Sequence, residues 1–139
     1  MSSQKKQQIN STKDSMETRL AFELLKLDQD VFAVAILGFD GKIEAYAAKD
    51  FLAKELPSDM KIWVEEAQRQ AMIVKLVMEL DAFASDTTGI VFMRKMMKQV
   101  LIPVPSKKII IEAIMPLWNH SDVFLESVQQ YFGIKNKTP

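Results

Sequence analysis

The chain has 139 residues, with 18 basic and 18 acidic side chains, one histidine and no cysteine. This length suits one domain, and the balanced charge argues against a dedicated nucleic-acid-binding protein. The lack of cysteine excludes disulfide bonds and thiolate chemistry. No run approaches the ~18 apolar residues that a membrane-spanning helix needs, so we expect a cytoplasmic protein without a membrane span.

Residues 1–10 are rich in Gln, Ser and Lys, a composition typical of a disordered tail. A helix follows, with Asn10 or Ser11 as its cap, and it ends at the DQD sequence of residues 28–30. The spacing of its apolar residues predicts one stripe, made of Met16, Leu20, Leu24 and Leu27.

A hairpin is predicted next. VFAVAILGF, residues 31–39, is apolar at nearly every position, as in a strand covered on both faces. Asp40-Gly41 is a strong two-residue hairpin signal in which both residues would take a positive φ. The return strand KIEAYAAK, residues 42–49, is half polar, which suits a position nearer the edge of the sheet.

A long helix is predicted from Ser58 to about Ser85, and it is apolar on two sides. One side carries Met60, Trp63, Val64, Ala67, Ala71, Val74 and Met78. The other side carries Ile73, Leu76, Val77, Leu80 and Phe83. A helix that is apolar on two sides must be buried on two sides. The sheet can cover one of them, so the other needs a further cover.

Residues 86–100 allow two interpretations. Thr87, Thr88, Ile90, Val91 and Phe92 favour a strand. The other interpretation is a helix, because apolar residues recur at helical spacing at Met93, Met96, Met97, Val100 and Leu101. We predict a strand and then a turn near residues 95–97, because a helix here is incompatible with the fold proposed below.

QVLIPVPSKKIIIEAIM, residues 99–115, predicts two apolar strands around a short turn. The second strand is almost unbroken, so it should be central, like residues 31–39. Pro103 and Pro105 lie two residues apart and therefore remove donors from the same strand edge. We expect both prolines to lie beyond the end of the preceding strand.

A last helix is predicted to begin near residues 119–121 and to end before Gly133, a residue typical of helix C-termini. It should bury Phe124, Leu125, Val128 and Phe132. His120 is interpreted as a surface capping residue, since one histidine without cysteine cannot form a His/Cys zinc site.

Only a few of the charged residues are candidates for a chemical role. Glu112 is the one charged residue within an apolar strand. A functional carboxylate is one interpretation, but we favour a residue without a chemical role that lies at a sheet end or faces a cleft. The basic residues Arg94, Lys95 and Lys98 lie near one turn, and Lys107 and Lys108 near another. These turns fall at opposite ends of one strand, so we interpret them as solvated turns rather than one patch.

The methionines of the first turn have two interpretations. Met93, Met96 and Met97 could form an adaptable contact surface, since methionine repacks easily, or they could fill the core.

The order of elements is helix, two strands, helix, three strands and helix, which predicts an α+β fold with helices on both faces of one antiparallel sheet. This order resembles the roadblock (dynein light chain) family over about residues 12–133. The resemblance is carried by VFAVAILGFDGKIEAYAA, the long helix 58–85 and QVLIPVPSKKIIIEAIM. We accordingly expect one domain at 11–133 between tails at 1–10 and 134–139.

The resemblance implies a five-stranded sheet in the order 2-1-5-4-3. It places the long central helix on one face and the N- and C-terminal helices on the other. It also implies dimers that pair the central helices and edge strand 3, without catalytic residues. Members of the family regulate or scaffold other proteins, often small Ras-like GTPases. The chain departs from the family in its long first helix, its N-terminal tail and its Met-rich basic turn.

The resulting hypothesis is a non-enzymatic homodimer that binds another protein, with no catalytic, cofactor-binding or metal-binding residues. Its candidate interface consists of Ile73, Leu76, Val77, Leu80, Phe83, Phe92 and Arg94. The alternative is a small-ligand sensor domain of the PAS or GAF type, which shares a central antiparallel sheet flanked by helices and predicts a closed apolar pocket.

Overall fold

A computed structural model describes residues 16–49, 60–80 and 87–134. The elements in chain order are α1 (16–25), β1 (Ala33–Gly38), β2 (Ile43–Ala48), α2 (Met60–Leu80), β3 (Ile90–Met93), β4 (Lys98–Val104), a 3₁₀ turn (Pro105–Lys107), β5 (Ile109–Met115) and α3 (Ser121–Tyr131). The predicted tail 1–10, residues 135–139 of the predicted tail 134–139, the helix caps at Asn10 and Ser11, and the ends of the predicted helix 58–85 lie outside the described residues.

The five strands form one antiparallel sheet in the order β2-β1-β5-β4-β3, which confirms the predicted order. The nearly unbroken apolar strands β1 and β5 are central, as expected. Every residue of β1 is buried, whereas β2, at the sheet edge, alternates between buried and partly exposed side chains. Residues 90–93 form a strand followed by a turn, so the strand interpretation of this stretch is confirmed.

The helices cover the sheet in two layers. Side chains alternate across each strand, so Val34 and Ile36 meet α1 and α3 while Ala35 and Leu37 meet α2. α2 contributes Ala67, Ala71 and Val74 to its side of the core, as predicted. The long helix on one face and the terminal helices on the other confirm the predicted α+β architecture.

The β1–β2 hairpin is confirmed, but the prediction that Asp40 and Gly41 both take a positive φ is wrong. Gly41 alone of the two does so, at +87°. Its N–H donates to the Gly38 carbonyl, and the Asp40 carboxylate accepts from the N–H of Lys42. This is a turn closed by a glycine bulge, which matches the twist of the strands. A Cβ on Gly41 would also lie 2.7 Å from the Cα of Gln68, so α2 packs directly on this turn.

The β4–β5 hairpin explains the two prolines. β3 begins at Ile90, opposite Leu101, so Pro103 lies beyond the reach of β3, as predicted. Pro105 has left the strand and opens the 3₁₀ turn, which ends at Lys108 with φ +56°. Neither proline sits between two paired strands, because β4 extends past its edge neighbour at this end of the sheet.

The apolar stripe predicted for α1 is partly wrong. Leu24 is buried and Leu20 packs against the same cluster, as predicted, but Met16 and Leu27 are exposed. The helix also buries Ala21 and Leu25, which were not predicted. Leu27 lies in the turn that follows the helix, where helical spacing no longer determines the direction of a side chain.

The final helix largely matches its prediction. α3 buries Phe124 and Val128, while Leu125 and Phe132 pack against the same cluster from partly buried positions. The helix is followed by Gly133 at φ +71°.

Candidate interaction surface

The outer face of α2 carries exposed apolar side chains. Leu76 is 55% exposed and Leu80 62%, and Met72 and Ile73 beside them are exposed as well. Val77 is half-buried, and Phe83 lies outside the described residues. Monomeric proteins seldom leave several large apolar side chains on one helix face in water, so this face is a candidate contact surface.

The edge strand β3 and the turn that follows it hold the other two candidate residues. Phe92 is half-buried and packs against the cluster that includes Ala71 and Val74 of α2. The Arg94 guanidinium lies 5.5 Å from the centre of the Phe92 ring, within cation–π range. The structure therefore places Phe92 and Arg94 on the same face of the sheet as α2.

The turn after β3 exposes two of its three methionines. Met93 and Met96 are exposed, whereas Met97 is half-buried. Of the two interpretations of these residues, core filling is excluded for Met93 and Met96.

A chain of polar contacts runs from the surface of α2 into the sheet. The Arg94 guanidinium donates to the Glu66 carboxylate at 2.9 Å, and its Nε donates to Gln99 Oε1 at 2.7 Å. Gln99 Nε2 in turn donates to Glu112 Oε2 at 2.8 Å. One exposed ion pair is thus linked through a single amide to a buried carboxyl group.

Glu112 lies in the middle of the sheet, not at a sheet end, so that part of its prediction is wrong. It is in register with Ala35 on one side and Leu101 on the other, and both neighbours belong to the cluster under α2. Its side chain is therefore directed at α2, and the residue is 1% exposed. A carboxyl group can occupy this position because Gln99 supplies a donor from the adjacent strand.

Burial raises the pKa of Glu112 to about 7. The hydrogen bond from Gln99 and the nearby amide of Gln70 oppose this increase, while the Glu66 charge adds to it. Gln70 lies close enough to affect the carboxyl, yet within the described residues neither of its amide atoms has a partner at hydrogen-bond geometry. The same is true of Glu112 Oε1.

Sequence reasoning missed Gln70 and Gln99. Both amides are buried among apolar residues, and each interrupts an apolar pattern in the sequence. Gln70 falls between Ala67 and Ala71 on the buried face of α2, and Gln99 is two residues from Leu101 on one face of β4. A glutamine at a core position of a helix and another at a core position of a strand would have been the signal for a buried polar cluster.

The interpretation of the basic residues as solvated turns fails for Lys98. This residue is 7% exposed, and its ammonium donates to the carbonyl of Asn119. Asn119 Nδ2 donates to the Asp28 carboxylate at 3.1 Å, so two loops and the start of β4 meet here. Lys95, Lys107 and Lys108 are exposed, and the two turns do lie at opposite ends of β4, as predicted.

His120 precedes α3 and is exposed, but its side chain makes no capping hydrogen bond. Within residues 16–49, 60–80 and 87–134, no three His, Cys, Asp or Glu side chains are placed to hold a metal ion. In the same part of the chain, no helix combines the length and apolarity needed to cross a membrane.

Comparison with known proteins identifies the fold. No family model matches the sequence, and no curated protein matches it. Solved structures do match. A Roadblock/LC7 domain from Streptomyces avermitilis is 13% identical with a TM-score of 0.57, covering 83% of this chain and 96% of that one.

Two MglB structures are similar in the same way. Myxococcus xanthus MglB is 12% identical with a TM-score of 0.59, covering 83% of this chain and 93% of that one. MglB with a tetrameric arrangement is 10% identical with a TM-score of 0.62, covering 83% of this chain and 84% of that one. At these identities the likeness is one of fold, and the chain has a roadblock-like fold.

Proposed function

We propose that this chain is a non-enzymatic, cytoplasmic interaction protein that forms a homodimer and binds another protein, with small Ras-like GTPases as the first class to test. The observation that carries the proposal is the outer face of α2, with exposed Met72, Ile73, Leu76 and Leu80. Covering such a face with a second copy removes apolar surface from water at about 25 cal/mol per Å².

The edge of the sheet supports the same proposal. Among the described strands, β3 is outermost on one side of the sheet, and an edge strand readily accepts another strand. Its side chains pack next to α2 through Ile90 and Phe92, so one partner can cover the helix face and the strand together. The tetrameric arrangement recorded for MglB shows that a protein of similar fold self-associates.

Sedimentation equilibrium on the purified full chain tests the dimer. We expect the unmodified protein to dimerise at micromolar concentration and the double variant Leu76→Glu/Leu80→Glu to be a monomer. Both side chains are exposed, so circular dichroism should show an unchanged fold. Val123→Glu, which puts a charge on an exposed apolar position of α3, should leave the dimer intact. An unmodified protein that stays monomeric would contradict the proposal.

Biolayer interferometry tests the partner. Purified small Ras-like GTPases from the native host, loaded with GDP or a non-hydrolysable GTP analogue, would be passed over the immobilised chain. Binding that depends on the nucleotide supports a regulatory role, and absence of binding across the set argues against this partner class.

Native mass spectrometry on the same preparation is a parallel check, because a small ligand that copurifies would favour a sensor domain instead.

A further inference from the structure

Glu112 is a buried acid whose surroundings suit its neutral form. One carboxylate oxygen accepts from Gln99, while Oε1 has no donor among the described residues. The uncharged amide of Gln70 on α2 also affects the carboxyl, but neither of its amide atoms makes a hydrogen bond in this part of the chain. A neutral carboxyl group keeps the hydrogen bond from Gln99 without placing a charge in this apolar interior. An ionised carboxylate leaves a buried negative charge with one direct donor, which is costly.

The charged groups around Glu112 largely cancel. α2 contributes Glu66 and the turn after β3 contributes Arg94, and these two form an ion pair at 2.9 Å. β4 contributes the neutral Gln99, and β1 contributes Ala35, which is apolar. Since the ion pair has little net charge, removal of water is the largest influence on Glu112.

The outer end of the polar chain that leads to Glu112 lies next to β3, the edge strand of the proposed contact surface. The side chains of Arg94 and Glu66 are 43% and 36% exposed, so solvent still reaches the outer end of the polar chain. Arg94 directly follows the edge strand β3, which the proposed partner covers, and its ion pair holds Glu66 of α2 at 2.9 Å. A second copy that covers this side of α2 would remove that water and make ionisation of Glu112 less favourable still.

We propose that Glu112 takes up a proton when a second copy covers α2 and the Arg94–Glu66 ion pair, so that self-association tightens as the pH falls. This proposal rests on the proposed homodimer. The free protein binds and releases the proton near neutrality, and the dimer holds it. The acid therefore acts as a proton-binding site that couples association to pH.

The test is sedimentation equilibrium of the full chain at pH 6, 7 and 8 at constant ionic strength. The dimer Kd of the unmodified protein should rise with pH. Each unit by which association raises the pKa of Glu112 should increase this Kd by about tenfold per protomer. Glu112→Gln, which mimics the neutral acid, should dimerise tightly at all three values. Glu126→Gln removes the same charge from an exposed site on α3 and should retain the pH dependence of the unmodified protein.

The possible failures are distinguishable. A dimer whose Kd does not change with pH overturns the proton coupling and leaves the proposed dimer in place. A monomer at every pH overturns both. If Glu112→Gln does not fold, dilution calorimetry on the unmodified dimer at pH 7 gives the answer. The heat of dissociation should differ between two buffers of different ionisation enthalpy, because the buffer takes up the protons that the dimer releases. Equal heats in the two buffers would overturn the proposal.

Discussion

The two faces of the sheet are built differently. On the side of α1 and α3, the larger apolar cluster extends from Leu24 to Phe124, and the buried Lys98 on this side has the Asn119 carbonyl as its partner. On the side of α2, the apolar cluster is smaller and surrounds the polar residues Gln70 and Glu112. The helix on that side also presents large apolar side chains to water. The α1 and α3 side of the sheet therefore contributes most of the folding stability. The α2 side combines a buried polar cluster, which costs folding free energy, with exposed apolar side chains, as expected of a face that binds another protein.

The largest expected effect is on the apolar side. Phe124 is fully buried, so Phe124→Ala should lower the free energy of unfolding by ~3–5 kcal/mol. Urea denaturation at fixed protein concentration measures this loss. The matched change Val123→Ala, at the exposed neighbouring position, should cost less than ~0.5 kcal/mol. Similar losses for the two variants would mean that α3 is not a core element.

The second effect is pH-dependent and belongs to the α2 side. The pKa of Glu112 is raised from its ordinary value of 4.5 to about 7 in the folded chain. The folded state therefore binds more protons than the unfolded state between these pH values, and stability falls as the pH rises through that window. At ~1.4 kcal/mol per pKa unit, Glu112→Gln should be about 3 kcal/mol more stable than the unmodified protein at pH 8.

Urea denaturation from pH 4 to pH 8 checks this prediction. Near pH 4 the acid is neutral in both states, so the glutamine variant and the unmodified protein should unfold at similar urea concentrations. If the difference in the free energy of unfolding between the two proteins stayed constant from pH 4 to pH 8, Glu112 would not titrate as described.

A smaller effect is expected where the loops meet. Asn119→Ala removes the side-chain donor to Asp28, and should lower the free energy of unfolding by ~1–2 kcal/mol. The backbone carbonyl that accepts from Lys98 remains, so the buried ammonium keeps its partner. Thermal denaturation measures the change. A loss as large as that of Phe124→Ala would mean that this hydrogen bond stabilises the fold as much as a fully buried aromatic ring does.

The smallest effect on stability is expected at the surface ion pair. Glu66→Gln removes the charge partner of Arg94, but both side chains are more than one-third exposed, so screening by water limits the cost to less than ~1 kcal/mol. The same variant should change dimer affinity more than stability, because the pair lies on the proposed contact surface. Sedimentation equilibrium and urea denaturation on one preparation separate the two quantities.

Much of the fold could be predicted from local patterns. The unbroken apolar runs at 31–39 and 108–115 identified the central strands, and the half-polar run at 42–49 identified an edge strand. The apolar face of α2 that points away from the core could also be predicted, because helical periodicity determines which side chains share a face.

The polar cluster could not be predicted in the same way. Gln70, Gln99 and Glu112 are distant in sequence and meet because strand register sets Glu112 beside Leu101 and beneath α2. Lys98 was expected in water for a similar reason, since its burial depends on the loop that carries Asn119. Contacts of this kind depend on register and loop path, which periodicity does not specify.

The sequence by itself determined the order of the elements, the central strands and the two apolar faces of α2, because each follows from the spacing of apolar residues along one element. The tertiary structure alone decided which polar residues share the interior. Register across β4 and β5 placed Gln99 beside Glu112, and helix packing brought Gln70 near the same carboxyl. The physical reason is that a hydrogen bond needs two groups at one distance and angle, and only the packed chain sets both.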